Sequence, residues 1–146
     1  MKIYFCVNKQ PLVGYNNINV AEQKVDFGNL DMVCARAECT EIILDDMLEY
    51  IPLQQVPGLL VQLITRIRKN GRLIINSLDL NETIKQYSNG LLSIADFNAM
   101  IYGNTNIHKC SAFSHTDLHG ILVSNGLQSM SIELLTNSFT IIAQRI

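Results

Sequence analysis

Residues Glu41–Leu80 read EIILDDMLEYIPLQQVPGLLVQLITRIRKNGRLIINSLDL. Glu41–Leu44 is a short apolar run, and Leu73–Ser77 (LIINS) is the clearest central strand of the chain. Both are apolar on consecutive residues rather than alternating, the pattern of strands buried on both faces of a parallel sheet. Between them Val56, Leu59, Leu60, Leu63, Ile64 and Ile67 recur at three- and four-residue spacing, while Gln62, Arg66 and Arg68 fall on the other side. This spacing predicts an amphipathic helix from about Pro57 to Lys69, stopping at Asn70-Gly71. Arg66, Arg68, Lys69 and Arg72 are then most simply a helix end, where basic side chains complement the dipole. Strand, helix, strand is a crossover unit and predicts an α/β fold with a mostly parallel sheet.

Working outward from this unit, Lys2–Val7 (KIYFCV) reads as a buried strand, Tyr15–Val20 as a second and Val25–Phe27 as a very short third. Downstream, a short helix is expected at about Asn81–Tyr87. Ser93-x-x-Asp96 and Ser114-x-x-Asp117 then announce two more, because a serine side chain accepts a free backbone N–H while the acid three residues on reaches back. Asn125-Gly126 ends the second of these. Met130, Ile132 and Leu134 alternate with polar residues ahead of a turn at Asn137-Ser138 and a run at Phe139–Gln144, which predicts an antiparallel C-terminal hairpin.

The 146 residues form one domain, 1–146, since two ordinary domains would need a longer chain. Hydrophobic residues make up 48% and charged ones 16%, the latter well below the roughly 25% of soluble domains, so some apolar surface is expected to remain. A net charge of -2 argues against a phosphate-backbone binder, and nucleic acid is not an expected partner. Cys6, Cys34, Cys39 and Cys110 are scattered with no C-x-x-C pair, which fits reduced thiols in a cytoplasmic protein better than zinc or a disulfide framework. The N-terminus MKIYFCVNKQPLVG reads as neither a signal peptide nor a membrane span. No metal is expected. His115 and His119 stand one turn apart, but no third ligand is evident and a solvated helix face is the simpler reading.

With these elements in order, Leu48-Glu49-Tyr50-Ile51-Pro52, the helix after it and Lys69-Asn70-Gly71-Arg72-Leu73 resemble the middle of the class I S-adenosylmethionine-dependent methyltransferases of the type 11 kind. Tyr102-Gly103, His108-Lys109-Cys110-Ser111-Ala112-Phe113 and Asn125-Gly126-Leu127 resemble the substrate side and C-terminal portion of the same proteins. The resemblance implies a compact Rossmann-like methyltransferase fold with S-adenosylmethionine as cofactor. It places cofactor contacts on the first loop at Cys6, Val7 and Asn8, on Asn19 at the end of the second strand, and on Asp26 and Phe27 within Val25-Asp26-Phe27-Gly28-Asn29-Leu30. Asp45 and Asp46 end the next strand, at the lip where carboxyl ends of parallel strands gather ligands. They are also what a helix start would carry. Tyr102 and His108 are the candidate substrate contacts.

The chain departs from that family where the cofactor would be held. Both glycines of the first loop are replaced, and glycine there lets backbone N–H groups approach a ligand and tolerates positive φ. Asn8 tolerates a left-handed conformation, whereas Val7 meets a steric penalty in it. Asn19 stands where an acid would accept both ribose hydroxyls and offers one carbonyl oxygen without charge. Two functions follow from the resemblance. One is a small methyltransferase acting on a small molecule or glycan through a weakened cofactor site; the other is a catalytically inactive member serving as a binding or assembly module. The stretches between Val7 and Tyr15 and between Val20 and Val25 leave no room for helices over one face of the first strands, so a thinly covered face and a homo-oligomer or complex subunit are expected.

Overall fold

A computed structural model describes residues 1–104 and 106–146. Six strands, β1 (Lys2–Cys6), β2 (Asn16–Asn19), β3 (Cys39–Asp45), β4 (Ile67–Leu78), β5 (Leu127–Leu134) and β6 (Ser138–Arg145), form one sheet in the order β2-β1-β3-β4-β6-β5. β2, β1, β3 and β4 run parallel, while β6 is antiparallel to β4 and β5 to β6. The mostly parallel sheet with its antiparallel hairpin is therefore as the sequence predicts. Across it, Ile18 pairs with Phe5, Phe5 with Leu44, Leu44 with Ile75 and Ile75 with Ile141. Paired residues share a face, and this row is fully buried. Each such side chain removed from water stabilises the fold by about 1.5–3 kcal/mol.

Two helices cover that face. α1 (Val56–Arg66) buries Leu59, Leu60, Leu63 and Ile64, and α4 (His115–Ser124) buries Leu118 and Leu122 beside β5, β6 and α1. α2 (Leu80–Ser88) and α3 (Ile94–Tyr102) pack on each other, with the rings of Tyr87 and Phe97 4.9 Å apart. The opposite face carries Ile43, Ile74 and Ile142 in one row, all only half-buried, where Ile42 and Leu73 on the covered face are fully buried. Beside them the Tyr15 hydroxyl donates to Glu41, and Arg72 pairs with the same carboxylate at 2.5 Å. The β1–β2 connection is a loop rather than a helix.

Three expectations are corrected. Val25–Phe27 forms no strand; Val25 and Phe27 instead pack against the core from an irregular segment that ends in the buried Leu30. The helix stops at Arg66, three residues early, because Ile67 turns extended and already pairs with Cys39 on β3. Residues 68–71 bulge out of β4, with Asn70 at φ 64° and Gly71 so near Cys39 O (3.0 Å from a built Cβ) and Ile67 that a side chain would collide. Arg66 is thus a buried anchor, giving hydrogen bonds to Asp31 Oδ1 (2.5 Å) and Cys34 O (2.9 Å), and Arg68 and Lys69 belong to the strand. Finally, Asp45 and Asp46 start no helix: Asp45 closes β3, and Asp46, at φ 50°, turns the chain toward a short 3-10 turn at Leu48–Tyr50.

Candidate functional site

The parallel strands all end on one edge, and four hollows follow one another along it. The first, about 380 Å³, is lined by Cys6, Asn8, Lys9, Asn17 and Asn19. The second, about 310 Å³, shares Lys9 and adds Val7, Asp46, Glu49 and Lys109. The third, about 230 Å³, shares Val7 and Tyr50 with the second and adds Val20, Phe27, Ile51 and His108. The fourth, about 550 Å³, shares Phe27 and adds Lys24, Asp26 and Gln55. Together they trace the strand-end lip at which α/β sheets gather ligands.

Chain reversal at the end of β1 is made by Asn8, which takes φ 51°; Val7 stays out of the left-handed region and so avoids the expected steric penalty. Asn8 is held by Asn19. The Asn19 carbonyl accepts the Asn8 N–H (3.0 Å) and the Ala21 N–H (3.1 Å), and its amide donates to Asn8 Oδ1 (3.0 Å). Asn19 thus ties the ends of β1 and β2 together. The buried Cys6 thiol lies 3.9 Å from Lys9 O. Asp26 is exposed and folds onto its own turn, accepting the Gly28 N–H at 2.9 Å, while Phe27 packs its ring 6.3 Å from that of Phe5.

At the end of β3 the charges are paired. Lys9 gives hydrogen bonds to Asp45 Oδ1 (2.8 Å) and Asp46 Oδ2 (2.6 Å), and Asp45 also accepts from the Tyr4 hydroxyl (2.6 Å) and Asn76 Nδ2 (3.2 Å). Burial pushes the Asp45 carboxyl up, but the hydrogen bonds from Lys9 and Tyr4 outweigh it and hold the group below the usual carboxylate range. Burial and the Asp45 carboxylate together drive the Tyr4 phenol well above its ordinary value.

The structure therefore brings Val7, Asn8, Asn19, Asp46, Phe27 and His108 to one edge, with Asp45 behind Lys9 and Asp26 at the far end. Tyr102, 59% exposed on the last turn of α3, lines none of the four hollows. A residue not singled out from the sequence is Glu49, 1% exposed in the second hollow. Its Oε1 accepts from Ser77 Oγ and from the Leu78 N–H, both at 2.7 Å, and among the described residues Oε2 has no hydrogen-bond donor. The acid in Leu48-Glu49-Tyr50 just past a strand end was the available signal. His115 is also more than a solvated residue: Nδ1 stands 3.4 Å from the buried Asp79 carboxylate. Among the described residues no three His, Cys, Asp or Glu side chains gather as a metal-ligand set, and no helix is long and apolar enough to cross a membrane.

No family model matches the chain, and no curated protein sequence does. Solved structures match it by shape. An O-methyltransferase family protein from Burkholderia thailandensis aligns at TM-score 0.62 and 15% identity over 90% of this chain and 36% of its own. A SAM-dependent methyltransferase from Methanosarcina mazei aligns at TM-score 0.61 and 12% identity over 99% and 82%. The 1,6-didemethyltoxoflavin-N1-methyltransferase of B. thailandensis, solved with that compound and S-adenosylhomocysteine, aligns at TM-score 0.57 and 13% identity over 90% and 52%. The chain spans about a third of the first of these and about half of the last. At such identities the likeness is one of fold: the sheet and its helices have the class I methyltransferase architecture.

Proposed function

We propose that this chain is a methyltransferase-fold protein of the type 11 kind that has become a binding or assembly module for a small molecule or glycan, its S-adenosylmethionine site weakened by its own side chains. The observation that carries this reading is the use of Asn19. Both lone-pair directions of its carbonyl are spent on the Asn8 and Ala21 N–H groups, so no acceptor is left for ribose hydroxyls. Lys9 adds to it by lying across both Asp45 and Asp46. The residues present thus fit the cofactor poorly. Leu48-Glu49-Tyr50-Ile51-Pro52, in place at the strand-end lip, supports the type 11 assignment. Free thiols at all four cysteines support a cytoplasmic setting, and the half-covered second face supports self-association or membership of a complex.

A second reading, an active methyltransferase, is favoured by the third hollow, whose walls of Val7, Val20, Phe27, Tyr50 and Ile51 suit a flat ring. One experiment separates the two: calorimetry and thermal unfolding with S-adenosylmethionine and S-adenosylhomocysteine up to millimolar concentration. No heat and no change in Tm are expected. A ligand at 100 times its Kd adds about 2.7 kcal/mol to stability, so a clear rise in Tm would establish the active reading instead.

A further inference from the structure

Two residues that line the second hollow each carry a buried oxygen with no hydrogen-bond donor among the described residues. Among those residues nothing donates to Glu49 Oε2, on a side chain 1% exposed, or to the buried Asn137 Oδ1. Buried acceptors are nearly always paired, so an orphan beside a cavity points to a donor from outside the chain. Lys109 does not fill the role. Its ammonium stays 3.7 Å from Glu49 Oε2 and gives its hydrogen bond to Met100 O at 2.9 Å. Asn137 is held by its backbone, whose carbonyl accepts the Asp79 N–H at 2.8 Å, which leaves the side chain free for a ligand.

The charges around the hollow decide what kind of donor enters. Lys9 and Lys109 oppose a cation, and Asp46 and Glu49 oppose an anion, with the two signs in equal number. A neutral group that donates hydrogen bonds remains. We infer that this hollow receives a neutral, hydroxyl-rich ligand, a sugar ring or polyol, whose hydroxyls donate to Glu49 Oε2 and Asn137 Oδ1 and whose oxygens accept from Lys109. Tyr50 offers an aromatic wall for the C–H face of such a ring. At about 310 Å³ the hollow is at the small end of ligand sites, the size for one ring rather than a chain of them. This deepens the binding-module reading by naming its ligand class, and it requires no S-adenosylmethionine, so the two proposals fail separately.

The test is an NMR titration of the isotopically labelled full chain with glucose, with methylammonium and acetate as charged counter-probes. Saturating shifts are expected with glucose at the Leu78 backbone N–H, which bonds Glu49, and at the Asn137 side-chain amide. Asn137→Leu should weaken glucose binding about tenfold, the consequence of one lost hydrogen bond. Tyr50→Leu keeps apolar bulk and should weaken it as well, so the test survives if either variant fails to fold. Absence of saturating shifts with glucose would overturn the proposal. So would saturation by methylammonium or acetate in its place, or glucose affinity unchanged in a folded Asn137→Leu protein.

Discussion

At the scale of single residues, the strand-end lip is held by hydrogen bonds that the side chains make to one another. Asn19→Asp is expected to destabilise the protein by about 1 kcal/mol, because aspartate cannot donate to Asn8 Oδ1 and sets a charge against it. Urea unfolding checks this; an unchanged midpoint would mean that the Asn8–Asn19 pair does not hold the loop. The Lys9 clamp has a pH signature. Asp45 titrates below its usual range, so its contribution is complete above the unfolded carboxyl value of about 3.9 and is lost as pH falls through the lower folded value. For Lys9, burial lowers the ammonium's proton affinity, but hydrogen bonds to Asp45 and Asp46 raise it further, so its contribution is complete below about 10.4 and is lost as pH rises through the higher folded value. The stability difference between the wild type and Lys9→Met should therefore be flat around neutrality and shrink at both extremes. With Lys9 37% exposed it should not exceed about 1 kcal/mol. A difference that grows in acid would refute the clamp.

At the scale of elements, the two serine-capped helices share a motif and differ in what it supports. Ser114 makes the full box, its hydroxyl accepting the Asp117 N–H (3.4 Å) while Asp117 Oδ2 accepts the Ser114 N–H (3.0 Å). The helix it starts delivers Leu118 and Leu122 to the core. Ser93 accepts from the Asp96 N–H at 3.0 Å, yet α3 buries no residue. Ser114→Ala should then lower global stability by about 1 kcal/mol. Ser93→Ala should leave the global transition nearly unmoved, because loosening a helix with no buried side chain is a local event. Equal global effects would mean that α3 belongs to the cooperative core.

For the whole molecule, the uneven coverage of the sheet is the outstanding feature. α1 and α4 lie on one face, while Ile43, Ile74 and Ile142 stay half-buried on the other between the Glu41–Arg72 pair and the polar row of Asp45, Asn76 and Thr140. Such a face is commonly buried against a second copy, at about 800 Å² per partner in a standard interface. A dimer is expected in sedimentation at micromolar concentration, and Ile74→Glu should dissociate it. A stable, soluble wild-type monomer would refute self-association through this face.

Periodicity, caps and turns are local signals that neighbouring residues carry, so the parallel strands, the amphipathic helix between β3 and β4, the capped starts of α3 and α4 and the closing hairpin are legible in the residues alone. The methyltransferase resemblance, rather than any local signal, drew attention to Asn8, Asn19 and Asp46 at the strand ends. Where α1 ends is set by long-range pairing, since Ile67 turns extended to pair with Cys39 far back in the chain. Pairing also explains Val25–Phe27, whose apolar residues found burial against Phe5 without a strand to pair with. At the site, the partners of Asn19 and Asp45 and the orphaned oxygens of Glu49 and Asn137 are matters of distance between segments remote in sequence. Hydrogen-bond saturation depends on three-dimensional contact, so residue type alone named the candidates and the fold decided which of them were already spent.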